Sequence, residues 1–448
     1  MNSKIQLAES QTPRYTSYPT APHFSADIDA RTHASWLEAA PADEAVSLYF
    51  HVPFCRTLCH YCGCHTKAVR KQEPVDAYAR RIDREIELVA ARLGGSRPVS
   101  HIHWGGGTPT IVGAEGLRRI VDTVHRLLAP TGSCEHAIEL DPRYVSGALA
   151  REIAACGVNR VSLGVQDFNP RVQAAIGRIQ PYDLVVAVVE RLRRAGIERL
   201  NFDLMYGLPA QTMADLMATI ERTIALRPSR VALFGYAHVP WFRRNQQLID
   251  ESLLPDTRTR LEQAEVAAET LEAAGYVPVG LDHFALPDDP LAIAATERTL
   301  RRNFQGYTTD SAQTLVGIGA SSISQFREGY TQNDPATALW SRAIDSGTFA
   351  TRRGYALTQE DRVRRAIIEQ LMCTLEADPS AIARAHGVDP ATLQASRERL
   401  RPLVDEGYVD LDGDTVRIAS HARHLMRLVA VAFDSFHKDE PKRHARSV

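Results

Sequence analysis

The sequence lacks long hydrophobic runs, an excess of charge of one sign, and an apolar leader. Its most apolar stretch, Leu425 to Phe433, is interrupted by Arg427 and is shorter than the roughly 18 residues that span a bilayer. The formal net charge of −2 provides no general attraction to nucleic acid or to anionic membranes. Residues Met1 to Ile5 lack the apolar core of a secretory signal peptide. We therefore expect a cytoplasmic protein with no membrane span and no nucleic-acid partner.

Cysteine is also scarce, except in one short segment. Cys134, Cys156 and Cys373 are scattered along the chain, and we interpret them as small core residues. The other four cysteines follow the apolar run Leu48 to Val52 and stand close together, at Cys55, Cys59, Cys62 and Cys64. Thiolates this close would repel one another unless a metal or a cluster compensated their charge.

Three explanations compete for this cysteine spacing. A disulfide is disfavoured, because a chain of 448 residues does not need such a staple and the cytosol keeps thiols reduced. Structural zinc is the second alternative, but zinc sites favour two CxxC pairs or one CxxC pair with a later pair of histidines. An iron–sulfur cluster tolerates other spacings, because its thiolates bind several irons. We favour the cluster.

From Leu48 onward, short β-branched runs alternate with helical patterns. Apolar residues recur at intervals of three and four from Val75 to Val89 and from Leu117 to Leu128, which predicts helices. The strands are predicted at Leu48–Val52, His101–Trp104, Ala137–Leu140, Arg160–Val165, Leu200–Met205 and Val231–Gly235. This alternation favours parallel strands with right-handed crossovers. The fold class is therefore α/β, a TIM-type barrel, with a doubly wound sheet as the alternative.

Three units are predicted along the chain. Residues 1–46 are rich in proline and form an N-terminal arm, which either lies on the surface or covers an active site. Residues 47–355 form the barrel and an extension, with a helix at Arg258–Ala274, a strand at Val277–Leu281 and a glycine-rich loop at Gly317–Ile323. Residues 356–448 form a small, mainly helical, winged-helix-like domain.

The winged-helix-like unit is predicted from a helix followed by a hairpin that turns at Asp412 and Gly413. Its wing carries acidic residues, which would repel phosphates, so we interpret the unit as a lid or structural cap and not as a DNA-binding module. The charged tail from His437 is expected to be disordered.

Polar or glycine residues follow each predicted strand. In TIM-type barrels the chemistry sits at the carboxyl ends of the strands, where these residues would meet. In strand order they are the cysteine segment, Gly105 to Gly107, Glu139, Gln166, Asp203, and Ala237 with His238. One shared site explains this succession better than separate solvent-facing residues.

The cysteine segment has the form CxxxCxYC, which resembles the signature of the radical S-adenosylmethionine (SAM) superfamily. Further motifs stand beside it: Tyr15-Thr-Ser-Tyr-Pro19, His103-Trp-Gly-Gly-Gly-Thr-Pro109, Gly164-Val-Gln-Asp-Phe168, Asp203-Leu-Met-Tyr-Gly-Leu-Pro209 and Arg302-Asn-Phe-Gln-Gly-Tyr307. Together with Cys64, they resemble the oxygen-independent coproporphyrinogen III oxidases over nearly the whole chain. The resemblance implies a partial (β/α)6 barrel.

The same resemblance implies the cofactors. Cys55, Cys59 and Cys62 would bind a [4Fe-4S] cluster, whose free iron is chelated by SAM, while Cys64 would lie near the substrate without binding iron. Two SAM molecules are implied. Residues matching contacts of the first are Tyr49, Gly106, Glu139 and Ile323. Residues matching contacts of the second are Tyr61, Gly107, Thr108, Gln166, Arg178, Asp203 and Ala237.

The implied reaction converts two propionates of coproporphyrinogen III to vinyl groups, which gives protoporphyrinogen IX in a monomeric enzyme with an unidentified electron donor and acceptor. A substrate with four carboxylates should need arginines, and our candidates are Arg14, Arg301 and Arg302. The alternative is a related haem chaperone. In that family the cysteine loop lacks an equivalent of Cys64 and the Tyr-Thr-Ser-Tyr-Pro arm is missing, whereas both are present here.

Overall fold

Within residues 5, 7, 9, 10 and 12–437, which the computed structural model describes, seven parallel strands form the centre of a twelve-stranded sheet. The expected disorder of the tail concerns residues 438–448, which lie outside that range. Among the described residues, no helix combines the length and the apolarity that crossing a bilayer requires.

The strands are β1 (Val46–Val52), β2 (Phe54–Cys55), β3 (Lys67–Ala68), β4 (Pro98–Gly106), β5 (Ala129–Leu140), β6 (Arg160–Gln166), β7 (Arg199–Tyr206), β8 (Arg230–Gly235), β9 (Val277–Val279), β10 (His283–Ala285), β11 (Arg301–Asn303), β12 (Gly306–Thr308), β13 (Thr314–Ile318), β14 (Ile323–Gln325), β15 (Gly329–Asn333), β16 (Thr351–Ala356), β17 (Glu376–Ala377), β18 (Val409–Asp412) and β19 (Thr415–Ile418). The helices are α1 (Ala30–Glu38), α2 (Glu73–Arg92), α3 (Gly113–Leu127), α4 (Gly147–Ala155), α5 (Pro170–Ala175), α6 (Tyr182–Arg194), α7 (Met213–Leu226), α8 (Thr257–Ala273), α9 (Pro290–Thr296), α10 (Thr337–Asp345), α11 (Gln359–Thr374), α12 (Pro379–Ala385), α13 (Gln394–Glu398), α14 (Arg401–Asp405) and α15 (Met426–Ala432).

All the predicted barrel strands are confirmed, and they are parallel neighbours. The order in the sheet is β16-β15-β14-β13-β1-β4-β5-β6-β7-β8-β10-β9. The end strands β16 and β9 are not neighbours, so the sheet stays open and the incomplete barrel is the correct form of the prediction. The helices predicted around Val75–Val89, Leu117–Leu128 and Arg258–Ala274 are α2, α3 and α8.

The glycine-rich segment before Ile323 was wrongly predicted to be only loop. Residues Thr314–Ile318 form β13, which is fully buried and runs parallel to β1 as a seventh barrel strand. A Cβ on Gly317 would lie 2.5 Å from the carbonyl oxygen of Ile323, so glycine is needed where the returning chain crosses closely. The glycines therefore allow close backbone packing inside the sheet. Glycine content alone cannot distinguish such a strand from a loop, because both are rich in glycine.

The C-terminal unit has its own apolar core, in addition to the predicted hairpin β18–β19. Two residues of the arm, Tyr15 and Tyr18, belong to that core. The Tyr15 hydroxyl donates to Asp434 at 2.9 Å, and the Tyr18 hydroxyl lies 2.9 Å from that of Ser435. The arm thus links the barrel to the C-terminal unit. The boundaries at 46/47 and 355/356 stay predictions.

Candidate functional site

A cavity of about 800 Å³ opens at the carboxyl ends of the parallel strands. All residues predicted to bind the cluster or SAM line this cavity, except Tyr49 and Ile323. The arm residues Thr12, Pro13 and Arg14 line it as well, which favours the arm as a cover of the site. The ends of the five strands β4 to β8 and the cysteine loop therefore contribute to one chamber, as the strand order requires.

The cysteine loop is held from outside by the segment that follows β8. The side-chain amide of Asn245 donates to the carbonyl oxygens of Cys59, His60 and Cys62 at 3.1, 3.1 and 2.9 Å. Gln246 donates to the carbonyl oxygen of Tyr61 at 2.7 Å. A loop whose carbonyls are bound in this way keeps its thiols in one arrangement.

The four thiols are free and differ in their surroundings. Burial raises the pKa of Cys55, which lies 3.3 Å from the hydroxyl of Thr66. A hydrogen bond from the Cys64 thiol lowers the pKa of Cys62 to about 7, and the same bond and the charge of Cys62 raise that of Cys64. Cys62 is thus the thiol most readily ionised among this coupled pair, and the thiolate is the form that binds metal.

Cys59 lies beside two arginines that share one carboxylate. Arg178 and Arg143 donate to its sulfur at 3.4 and 3.7 Å. Both also contact Asp141, at 3.2 Å from Arg178 and 2.6 Å from Arg143. Burial raises the pKa of Asp141, but the hydrogen bonds from Arg143 and the charge of Arg178 outweigh it and hold that pKa below its usual range. A thiolate at Cys59 therefore faces fixed positive charge.

The glycine turn after β4 allows the cysteine loop to approach the sheet. Gly106 has a φ of +110°, and a Cβ there would lie 2.8 Å from the ring of His51. A Cβ on Gly107 would lie 2.4 Å from the carbonyl oxygen of Phe54. A side chain at Gly107 would thus displace the start of the cysteine loop, and one at Gly106 would displace the His51 ring. Both glycines therefore have a structural reason as well as their predicted role towards SAM.

Besides Asp141, two further carboxylates lie in the wall of the cavity. Glu139 pairs with His103 at 3.3 Å and accepts the backbone N–H of Gly106 at 3.3 Å. Asp203 accepts hydrogen bonds from Ser162 and Asn201, each at 2.8 Å. Burial raises the pKa of Asp203 to about 6, although the Ser162 hydrogen bond opposes the shift.

Gln166 and Arg178 occupy the wall next to β6. Gln166 is one of the few residues other than glycine with positive φ, at +67°, where the pairing of β6 with β7 shifts register. Arg178 donates to the carbonyl oxygen of Gly164 at 2.7 Å as well as to Asp141 and Cys59. Strained backbone of this kind costs about 1–3 kcal/mol and concentrates at functional sites.

Of the residues predicted to bind SAM or the substrate, four lie away from the cavity, and His238, predicted at the end of the sixth strand, does not line it either. Tyr49 lies behind the glycine turn, hydrogen-bonded to His51 at 3.0 Å, and Ile323 packs against the cluster of Phe24 and Tyr330. Arg301 pairs with Glu369 at 2.9 Å, and Arg302 donates to the carbonyls of Tyr15 and Arg14. Of the proposed substrate arginines, only Arg14 lines the cavity.

The thiols of the cysteine loop fit the ligands that an iron–sulfur cluster requires. Cys55, Cys59 and Cys62 all reach the cavity with free thiols. In the described part of the chain, no three Cys, His, Asp or Glu side chains converge as ligands of one metal ion would. A four-iron cluster needs no such convergence, because each thiolate binds a different iron.

The comparisons agree with this geometry. The model of the Radical SAM superfamily matches residues 49–223, and that of the HemN C-terminal domain matches residues 357–425. The oxygen-independent coproporphyrinogen III oxidase of Bradyrhizobium diazoefficiens is 48% identical over 445 residues, which cover 99% of each chain. The chain belongs to the oxygen-independent coproporphyrinogen III oxidase family.

Other members of the family are similarly close. The oxygen-independent coproporphyrinogen III oxidase of Paracoccus denitrificans is 43% identical, over 97% of this chain and 96% of its own. The structure of coproporphyrinogen III oxidase (HemN) from Escherichia coli, described as a radical SAM enzyme, superimposes with a TM-score of 0.90 at 35% identity, covering 96% of this chain and 100% of its own. Membership in this radical SAM family implies a [4Fe-4S] cluster and SAM as cofactors.

Sequence reasoning missed several residues of this coproporphyrinogen oxidase site. Asp141 directly follows β5, so the rule that placed Glu139 at the same strand end could have found it. Arg143 and Asn245 offered no comparable pattern, because nothing near them in the sequence indicates that they reach the cysteine loop.

Proposed function

We propose that the chain catalyses the oxygen-independent oxidative decarboxylation of two propionates of coproporphyrinogen III, giving protoporphyrinogen IX in porphyrin biosynthesis. The observation that carries the proposal is the CxxxCxYC loop of free thiols at a chamber of about 800 Å³, in a chain of this family. For each propionate, the substrate loses one hydrogen atom, CO2 and one further electron, which passes to an unidentified acceptor. The chain is thus an oxidoreductase.

We assign Cys55, Cys59 and Cys62 as the ligands of the cluster, and Cys64 to the substrate side. A [4Fe-4S] cluster held by these three thiols would supply the electron for reductive cleavage of SAM, and that cleavage would provide the radical chemistry that removes a hydrogen atom from each propionate. Asn245 fixes the loop that carries the ligands, and Arg143 and Arg178 place positive charge next to Cys59. The arm residues Thr12 to Arg14 limit the access of water from one side.

We further propose that the chamber holds two SAM molecules. Glu139 is suited to an ammonium group of the first, since a carboxylate accepts charge-assisted hydrogen bonds. Asp203 and Gln166 are suited to hydroxyl and amino groups of the second. The chamber volume, about 800 Å³, is at the upper end of the usual range for ligand pockets, roughly 300–1,000 Å³.

Equilibrium dialysis tests the number of bound SAM molecules. We expect two SAM molecules per reconstituted chain and one in the Asp203→Asn variant. A single SAM molecule bound to the unmutated chain would contradict the second site.

The activity is tested by anaerobic incubation of the reconstituted protein with coproporphyrinogen III, SAM and a strong reductant from an external electron donor. We expect protoporphyrinogen IX together with 5′-deoxyadenosine and methionine. Tight binding of haem without SAM cleavage or product would favour the haem chaperone instead. Analytical ultracentrifugation tests the expected monomer, which should sediment as a single species with the mass of one chain.

A further inference from the structure

The segment between β8 and α8 exposes two large aromatic side chains at the mouth of the chamber. Trp241 is 51% exposed and Phe242 is 70% exposed, and both line the chamber. Neighbouring exposed aromatic rings are uncommon on a protein surface without a binding role. Their rings offer an apolar surface directly beside the cysteine loop.

Arg243 follows these two residues and lines the same chamber. Its guanidinium carbon lies 4.7 Å from the centre of the Phe242 ring. Its Nε is buried and has no hydrogen-bond partner within the part of the chain that the structure describes. A buried donor without an acceptor is destabilising, so a ligand that supplies a carboxylate oxygen there would be favoured.

The backbone of this segment has a fixed position relative to the cluster ligands. Asn245 and Gln246 bind four carbonyl oxygens of the cysteine loop. The hydroxyl of Tyr236 lies 2.9 Å from His238 Nδ1, and His238 Nε2 lies 2.9 Å from Glu251. Whatever docks on Trp241 to Arg243 is therefore held at a defined distance from the cysteine loop.

We infer that Trp241, Phe242 and Arg243 form the docking surface for the porphyrinogen substrate, with Arg243 binding one of its carboxylates and the two rings packing against its pyrroles. The inference rests on the proposed function. The match is chemical: the substrate combines an apolar macrocycle with four carboxylates, and this segment combines apolar rings with a partly desolvated guanidinium. Arg14, at the same chamber, is available for a second carboxylate.

The test measures binding of coproporphyrin III, the oxidised form of the substrate, to the full reconstituted chain by fluorescence under anaerobic conditions. Arg243→Gln should weaken binding about tenfold, and Arg243→Lys should recover part of the loss, because a charged donor remains. Trp241→Ala and Phe242→Ala should each weaken binding roughly three- to tenfold. The matched controls are Arg244→Gln, which removes a neighbouring exposed charge, and Leu248→Ala, which removes an apolar side chain that is 66% exposed. Both should bind as the unmutated chain does.

A second ligand distinguishes the loss of a carboxylate contact from a change in the shape of the docking surface. Coproporphyrin III tetramethyl ester has no free carboxylates, and both porphyrins are supplied in the same mild detergent. Arg243→Gln should leave binding of the ester unchanged, whereas Trp241→Ala should weaken binding of both. Equal losses for acid and ester in Arg243→Gln, or binding like the unmutated chain, would overturn the inference.

Further measurements distinguish this surface from the cofactor site. Arg243→Gln should keep its iron content and its SAM binding, and should raise KM for coproporphyrinogen III more than it lowers kcat. Loss of iron or of SAM binding in proportion to porphyrin binding would assign Arg243 to the cofactors and overturn the inference. If the unmutated chain forms protoporphyrinogen but Arg243→Gln binds normally, only the docking surface fails. If the unmutated chain forms no product, the proposed function fails.

Discussion

The guanidinium of Arg143 donates a hydrogen bond of 3.7 Å to the sulfur of Cys59. Arg178 approaches the same sulfur at 3.4 Å, and Asp141 joins the two arginines. Hydrogen bonds and positive charge at cluster sulfurs stabilise the reduced state, because reduction adds negative charge. With Cys59 as a proposed cluster ligand, we therefore expect Arg143 and Arg178 to raise the reduction potential of the cluster without being ligands themselves.

Substitution of Arg143 by glutamine should lower the reduction potential of the cluster. The expected change is about 40 mV, the one-electron equivalent of about 1 kcal/mol for a weakened charge-assisted hydrogen bond. Potentiometric titration followed by electron paramagnetic resonance measures it. Arg151→Gln, at an exposed position on α4, is the matched control. An unchanged potential in Arg143→Gln would show that the arginine only packs against the loop.

Substitution of single cysteines should divide the loop into ligands and a non-ligand. Cys55→Ala, Cys59→Ala and Cys62→Ala should each lose most of the iron and sulfide after anaerobic reconstitution, because three thiolates hold the cluster. Cys64→Ala should retain them, as should the control Cys134→Ala. Metal analysis and the visible absorbance of the cluster give the answer. If Cys64→Ala lost its iron while one of the other three variants kept its full iron content, Cys64 would be a ligand in place of that cysteine.

Substitution of Asn245 should loosen the cysteine loop without removing a ligand. Asn245→Ala leaves three carbonyl oxygens without their shared donor, so we expect the cluster to be lost to a chelator several-fold faster. Gln247→Ala, at an exposed position two residues away, should behave like the unmutated chain. The rate of iron release to a chelator measures the effect, and equal rates in both variants would refute a role in holding the loop.

The buried carboxylate of Asp203 should make stability depend on pH. Burial raises its pKa to about 6, so the folded chain keeps this proton at pH values where the unfolded chain has lost it. The free energy of unfolding should therefore fall as pH rises from about 4 to 6, by at most about 3 kcal/mol from this group. Urea unfolding of the cofactor-free chain at several pH values should show a shallower fall in Asp203→Asn. Asp288→Asn, at an exposed position, serves as the control, and identical slopes in all three chains would contradict the expectation.

Much of the architecture was accessible from local patterns. The barrel strands and the helices α2, α3 and α8 follow from residues within a few positions of one another. The strand β13 was not accessible, because its glycines serve close backbone contact and resemble those of a loop. A local sequence pattern predicts the local structure only where a single structural role explains the pattern, and glycine-rich segments have two such roles.

The sequence by itself determined that one loop supplies a cluster-type set of thiols and that successive strand ends supply the surrounding polar groups. Tertiary structure alone decided which distant side chains reach that loop. Asn245 meets the carbonyl of Cys59 across 186 positions, whereas Arg301 and Arg302 are engaged by Glu369 and by the arm and not by the chamber. The physical reason is that such pairs are selected by the packing of whole elements, and no spacing along the chain encodes the distance between them.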